Sequence, residues 1–183
     1  MTRGGGLNVV DLGGGSGYEC FSAISLFKGL RIASWVIVEQ PELAGYMQSH
    51  FEHKILRYQA EICDISSNID LVIISGTLQF LPNPIIALEE VLAAKPKYVV
   101  LSRTPYWSKP TRLTQCMGWK HILSLDGGRL SYPFWILEEG EVTRRFNPNY
   151  RKLLDWPDDQ NMYVSKFGFL PYRSLIFQRR SGT

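Results

Sequence analysis

The stretch Asp11-Leu12-Gly13-Gly14-Gly15-Ser16-Gly17 constrains this chain more than any other. A short apolar run from Asn8 to Leu12 ends in an acid and stops against a cluster of glycines, which weaken strand interiors and supply the positive φ of tight turns. The run therefore predicts a strand followed by a turn. Ser16 is placed to cap the next segment, where Cys20, Ile24 and Phe27 recur at helical spacing and Gly29 supplies a stop. Strand, glycine turn and helix in immediate succession predict a βα unit.

The unit repeats. Trp35 to Val38 predicts a buried strand; Pro41 sits where a first helical turn tolerates it, and Leu43, Met47 and Phe51 share a helical face. Ile55 to Tyr58 is the third expected strand. Asp70 opens the uninterrupted strand Leu71-Val72-Ile73-Ile74-Ser75, and Asn83 and Pro84 start a helix showing Ile85, Leu88 and Leu92 to the core. Tyr98 to Ser102 is the fifth strand. Parallel strands need crossover helices, and strands buried on both faces read as continuous apolar runs, so the alternation predicts a doubly wound, Rossmann-like α/β sheet. After Ser102 the pattern changes to a long polar stretch that includes Tyr106 and Trp107. It is followed by a predicted helix from Tyr132 to Phe146 and strands at Tyr150 to Leu154 and Ser174 to Arg179.

Composition narrows the function. With 45% hydrophobic and 20% charged residues, all 183 residues are expected to form a single domain with a continuous core. A net charge of +3 with scattered Arg and Lys is not the concentrated basic face of a nucleic-acid binder. No apolar run approaches the roughly 18 residues that span a bilayer, and Met1 to Leu7 lacks a signal-peptide core, so neither a membrane nor export is expected and the predicted location is cytoplasmic. Cys20, Cys63 and Cys116 are odd in number and lack CxxC spacing; they predict reduced thiols in or near the core. No metal site is expected, since His50 and His53 have no third ligand.

In a doubly wound sheet, ligands bind outside the carboxyl ends of the strands. There the chain offers Asp11, alternate glycines through which a ligand can approach the backbone without meeting Cβ atoms, and Glu39 at the end of the second strand. A carboxylate at that position can accept hydrogen bonds from both hydroxyls of a ribose.

These residues resemble the first motif of the class I methyltransferases that use S-adenosylmethionine (SAM), acid-x-Gly-x-Gly-x-Gly, matched by Asp11, Gly13, Gly15 and Gly17. More narrowly, Val10 to Tyr18, Trp35 to Pro41, Asp70 to Leu81 and Ser102-Arg103-Thr104-Pro105-Tyr106 resemble a little-characterised bacterial family of methyltransferases, some associated with surface-polysaccharide genes. The resemblance implies a seven-stranded sheet of order 3-2-1-4-5-7-6 with the last strand antiparallel. It implies that Asp11 and the backbone of Gly13, Gly14, Gly15 and Gly17 surround the amino-acid portion of SAM. Glu39 would hold the ribose, with Gln40 beside the adenine. Ala60 and Glu61 stand where relatives carry Gly-Asp, making Glu61 the first choice for the adenine amino group and Asp64 the second. Ser75, Gly76 and Thr77 would line the methionine end and Gln79 would point towards substrate. Relatives usually carry more residues before the first strand, which implies a chain lacking an N-terminal segment that helps cover the cofactor.

Arg103, Thr104, Tyr106 and Trp107 follow the fifth strand and are expected at the same edge, where guanidinium and ring groups suit a small anionic or sugar-like acceptor. No catalytic residue is assigned. His121, Tyr106 and Asp64 are candidate bases if the acceptor must lose a proton. Asn147-Pro148-Asn149-Tyr150 looks like an amino-methyltransferase signature but comes too late in the chain and reads as a turn. Two alternatives stay open. A nicotinamide-dependent oxidoreductase also joins strand to helix through glycines, but Gly-x-Gly-x-x-Gly from Gly13 requires a glycine where Tyr18 stands. A non-catalytic SAM-binding or assembly module would keep the fold without the activity. Oligomeric state is left open.

Overall fold

A computed structural model describes residues 5–65, 68–118, 129–164 and 168–182. The first half follows the expected alternation: β1 (Leu7–Leu12), α1 (Tyr18–Leu26), β2 (Ile32–Val38), α2 (Pro41–His50), β3 (Leu56–Gln59), β4 (Leu71–Ser75), α3 (Pro84–Ala93) and β5 (Tyr98–Trp107). The second half holds β6 (Thr111–Gly118), β7 (Arg129–Glu138), α4 (Glu139–Phe146), β8 (Tyr150–Val164) and β9 (Gly168–Arg179).

Strands β3, β2, β1, β4 and β5 lie side by side and are all parallel. Beyond β5 comes β9, antiparallel to it, and then β8, antiparallel to β9. The predicted sixth and seventh strands are the cores of β8 and β9, so the expected order and the antiparallel last strand are both present. The pleat sends alternate residues to opposite faces. On β1, Val9 joins Cys20, Trp35, Ile37 and Leu56 under α1 and α2, whereas Val10 joins Val72, Ile74, Leu88, Leu101, Phe146 and Phe177 under α3 and α4. Phe146 and Phe177 stack with ring centroids 3.7 Å apart, fastening α4 to β9.

Three sequence expectations are corrected. The helix from Tyr132 to Phe146 is only α4; its first part is β7, paired antiparallel with β6. Phe134 and Ile136 are buried while Pro133 and Trp135, each one residue before them, are only partly so, the period of two that packs a strand. The helix begins where Glu139 and Glu141 can face its positive end, and Arg144 and Arg145 face the other. Ser16 does not cap α1: the N-cap is Gly17, with φ +91°, and no side chain caps it. Of the cysteines, Cys20 is buried but Cys63 is exposed; the side chain of Cys116 and the whole of His121 lie outside the described residues.

The β6–β7 hairpin joins the end of β5, where Tyr106 and Trp107 pair with Leu137 and Glu138, and Phe134 packs edge-on against Phe80. Among the described residues no helix is long and apolar enough to cross a membrane.

Candidate functional site

Because β1 to β5 are parallel, their carboxyl ends form one edge, and the register decides which residues meet there. Leu12 lies beside Val38 and Ile74, Val38 beside Gln59, and Ser75 beside Ser102. The residues that follow are therefore set in a row: Ala60, Glu39, Gly13, Gly76 and Arg103. The backbone ties the row together, with the N–H of Gly13 donating to Val38, that of Glu39 to Gln59 and that of Gly76 to Ser102, at 2.8, 3.0 and 2.9 Å.

The turn after β1 is built around its glycines. Gly13 has φ +74°, and a Cβ there would come within 2.4 Å of the Thr77 side chain. A Cβ on Gly14 would lie 2.5 Å from the Asp11 carboxyl carbon. At Gly15, by contrast, an added Cβ would meet nothing within 4 Å, so the crest of the turn faces open space. Gly13→Ala is expected to cost about 2–3 kcal/mol, the sum of a left-handed backbone penalty and displacement of Thr77. Urea unfolding measures it; a loss below about 0.5 kcal/mol, the range of ordinary surface substitutions, would mean that the turn is not so constrained.

Two carboxylates flank the turn in different surroundings. Asp11 is 1% exposed and accepts a hydrogen bond from Trp35 Nε1 at 3.3 Å. Burial, reinforced by the charges of Glu19 and Glu39, pushes its carboxyl up to about 7, against the opposing effects of the Trp35 hydrogen bond and Arg103. Glu39 is half-buried and faces the turn: Oε1 accepts from the Gly15 N–H at 3.0 Å and Oε2 from the Gln40 N–H at 3.1 Å. Gln40 itself is exposed.

Beside this row a cavity of about 650 Å³ opens between the ends of β1 to β3 and α3, with Leu12, Val38, Ala60, Ile62 and Leu81 among its walls and Glu61 at its lining. Glu61 is exposed and accepts from Cys63 Sγ at 3.2 Å. The side chain of Asp64 lies outside the described residues. At the other end of the row Ser75 Oγ and Ser102 Oγ are 2.7 Å apart, and Thr77 Oγ1 donates to the Ser75 carbonyl at 3.2 Å.

The residues expected to touch substrate divide. Gln79 is buried, and its Nε2 donates to the Arg103 carbonyl at 3.1 Å, so it braces the end of β5. Thr104 and Tyr106 are also buried; Tyr106 belongs to the core under α3 and α4, where burial holds its phenol well above its ordinary value. Arg103 does reach the edge. Its Nε donates to Ser75 Oγ at 3.0 Å and its Nη2 to Glu19 Oε1 at 3.2 Å. Glu19, in the first turn of α1, was not singled out from sequence; an acid just after a glycine turn was the available signal.

No protein-family model matches the chain, and no curated protein matches it. Solved structures do. A SAM-dependent methyltransferase from Methanosarcina mazei superposes with a TM-score of 0.62 at 13% identity, over 95% of this chain and 92% of that one. One from Mesorhizobium loti gives 0.59 at 12% identity, over 98% and 94%. A glycopeptide N-methyltransferase crystallised with SAM gives 0.61 at 10% identity, over 99% and 84%. The chain has the Rossmann-like fold of the SAM-dependent methyltransferases.

Proposed function

We propose that this protein is a SAM-dependent methyltransferase acting in the cytoplasm on a small anionic or sugar-like acceptor. The observation that carries the reading is the glycine turn with its crest open to solvent at Gly15, set directly beside the Glu39 carboxylate. The residues present fit the cofactor. Each Glu39 oxygen accepts one backbone N–H and keeps a further lone pair for a ribose hydroxyl. The cavity walled by Leu12, Ala60, Ile62 and Leu81 offers apolar contact for a purine, with Glu61 available to its amino group. The N-terminus of α1 follows the glycine turn directly and carries no side-chain cap, which leaves backbone N–H groups there for the cofactor. That the glycopeptide N-methyltransferase of the same fold was crystallised with SAM supports this choice of cofactor.

SAM, when bound, supplies an electrophilic methyl group for in-line displacement. The protein's part is alignment and exclusion of water. Asp11 and Thr77 pack against Gly14 and Gly13 of the turn, Glu39 would hold the ribose, and the Ser75–Ser102 pair ties together the ends of β4 and β5, which would line the methionine end. The acceptor approaches over the open side of Arg103 and Trp107, because Gln79, Thr104 and Tyr106 are buried. The sequence resemblance to methyltransferases found near surface-polysaccharide genes favours a saccharide acceptor, and the scattered charge gives no support to nucleic acid.

Incubation with SAM and a panel of sugars, sugar acids and nucleic acids tests this. S-Adenosylhomocysteine formed only in the presence of a saccharide or small anion is the expected result; formation only with nucleic acid would overturn the acceptor, and binding of SAM without turnover on any acceptor would favour a non-catalytic module.

A further inference from the structure

Arg103 is held in an unusual way. Its φ is +52°, a left-handed conformation that L side chains with a Cβ adopt at a cost. The pairing of β5 with β9 breaks its register here, between Leu101 and Thr104. Contacts from distant parts of the chain hold the bulge. The Arg103 N–H donates to Asp158 Oδ2 at 2.9 Å, the other oxygen of Asp158 accepts from Ser174 Oγ at 2.7 Å, and Gln79 donates to the Arg103 carbonyl at 3.1 Å. A bulge re-aims a side chain. Here the guanidinium is carried back across the strand end, its Cζ 3.8 Å from where a Cβ on Gly76 would be, and on to Glu19 in the first turn of α1.

The result is a cation and an anion side by side at the glycine turn. The pair is open, with the Arg103 side chain 46% and the Glu19 side chain 28% exposed, so it contributes little stability and separates at little cost. Among the described residues Nη1 of Arg103 has no hydrogen-bond acceptor. An α-amino acid group carries the complementary charges on a single carbon, and it can replace the internal pair by two charge-assisted contacts, carboxylate on guanidinium and ammonium on carboxylate. A neutral or singly charged acceptor would leave one member of the pair unmatched.

We infer that the Arg103–Glu19 pair is the receptor for the zwitterionic amino-acid end of the cofactor, Arg103 taking its carboxylate and Glu19 its ammonium group, with Asp158 as the residue that positions Arg103. The inference rests on the SAM reading and adds to it the residues that recognise charge. It also moves Arg103 from acceptor contact to cofactor contact. The position follows from the row: with the ribose at Glu39 and the purine beside Ala60, the far end of the ligand crosses Gly13 towards Gly76, over which Arg103 lies.

Three ligands separate the charges: SAM, decarboxylated SAM, which lacks the carboxylate but keeps the ammonium and the sulfonium, and 5′-methylthioadenosine, which has none of the three. Titration calorimetry is carried out on the wild type, Arg103→Asn and Glu19→Gln, with thermal melting as the fold control. Asparagine is chosen because it tolerates a positive φ and so leaves the bulge unstrained. Arg103→Asn is expected to weaken SAM roughly tenfold to a hundredfold and to leave decarboxylated SAM within about twofold. Glu19→Gln is expected to weaken SAM and decarboxylated SAM alike and to leave methylthioadenosine unchanged. Unaltered SAM affinity in Arg103→Asn, or an equal loss for all three ligands, overturns the inference alone. A wild type that binds none of the three overturns the cofactor reading and the inference with it.

Discussion

Glu39→Ala is expected to weaken SAM binding by roughly tenfold to several hundredfold while the protein stays folded. The carboxylate stands at the end of β2, in the row that also contains Gly13 and Ala60, and each hydrogen bond to a charged group contributes about 1.5–3 kcal/mol before water takes over part of its role. Part of the loss comes from the turn itself. In the folded protein Glu39 Oε1 already accepts the Gly15 N–H, so alanine removes both the ribose partner and a tie between β2 and the turn. Glu39→Gln separates the two effects, since its amide oxygen can still hold Gly15 but has no charge; its affinity should lie between those of wild type and alanine. Titration calorimetry with circular dichroism as fold control measures both variants. Equal affinities in wild type and Glu39→Ala would show that the carboxylate is only a brace for the turn.

The second large effect is on pH dependence. Asp11 binds its proton up to about pH 7 in the folded protein, chiefly because it is buried, whereas the unfolded chain releases it near the ordinary 3.8. A folded value raised above the unfolded one means that the stability Asp11 contributes is complete below about pH 4 and is lost as pH rises through 7. That rise corresponds to roughly 4 kcal/mol. Asp11→Asn keeps the shape and an acceptor for Trp35 Nε1 but cannot ionise. Urea midpoints should therefore converge for the two proteins at pH 4 and favour the variant by several kcal/mol at pH 8. A constant difference between them across that range would mean that Asp11 is ionised throughout. The same group predicts that binding a cation at the turn near pH 7 releases a proton, because a positive charge nearby favours the carboxylate. Titration of SAM in two buffers of different ionisation heat would detect it.

How far the sequence disclosed this molecule depended on whether the information was local. Leu71 to Ile74 and Trp35 to Val38 are continuous apolar runs because both faces of a parallel strand are covered, and these runs point to the sheet. Gly13, Gly15 and Gly17 were legible because positive φ at a strand end needs glycine. The β6–β7 hairpin was not, since Tyr132 to Phe146 contains apolar residues at helical as well as alternating spacing and only pairing with β6 selects the strand. Thr104 and Tyr106 lie beyond the apolar run that ends at Ser102, yet β5 continues to Trp107 and buries them. The conformation of Arg103 has no local signature at all. It depends on Asp158 and Gln79, which the fold brings to it from either side in sequence, and with it went the pairing to Glu19.

The role proposed for the glycine turn and Glu39 is to hold SAM. Titrating the purified protein with SAM and, separately, with NAD tests it most directly, with the melting temperature of each mixture as a second readout, because only ligands that favour the folded state raise it. Saturable binding of SAM at a single site and a raised melting temperature are expected, with neither effect from NAD. Binding of NAD with no response to SAM would contradict it.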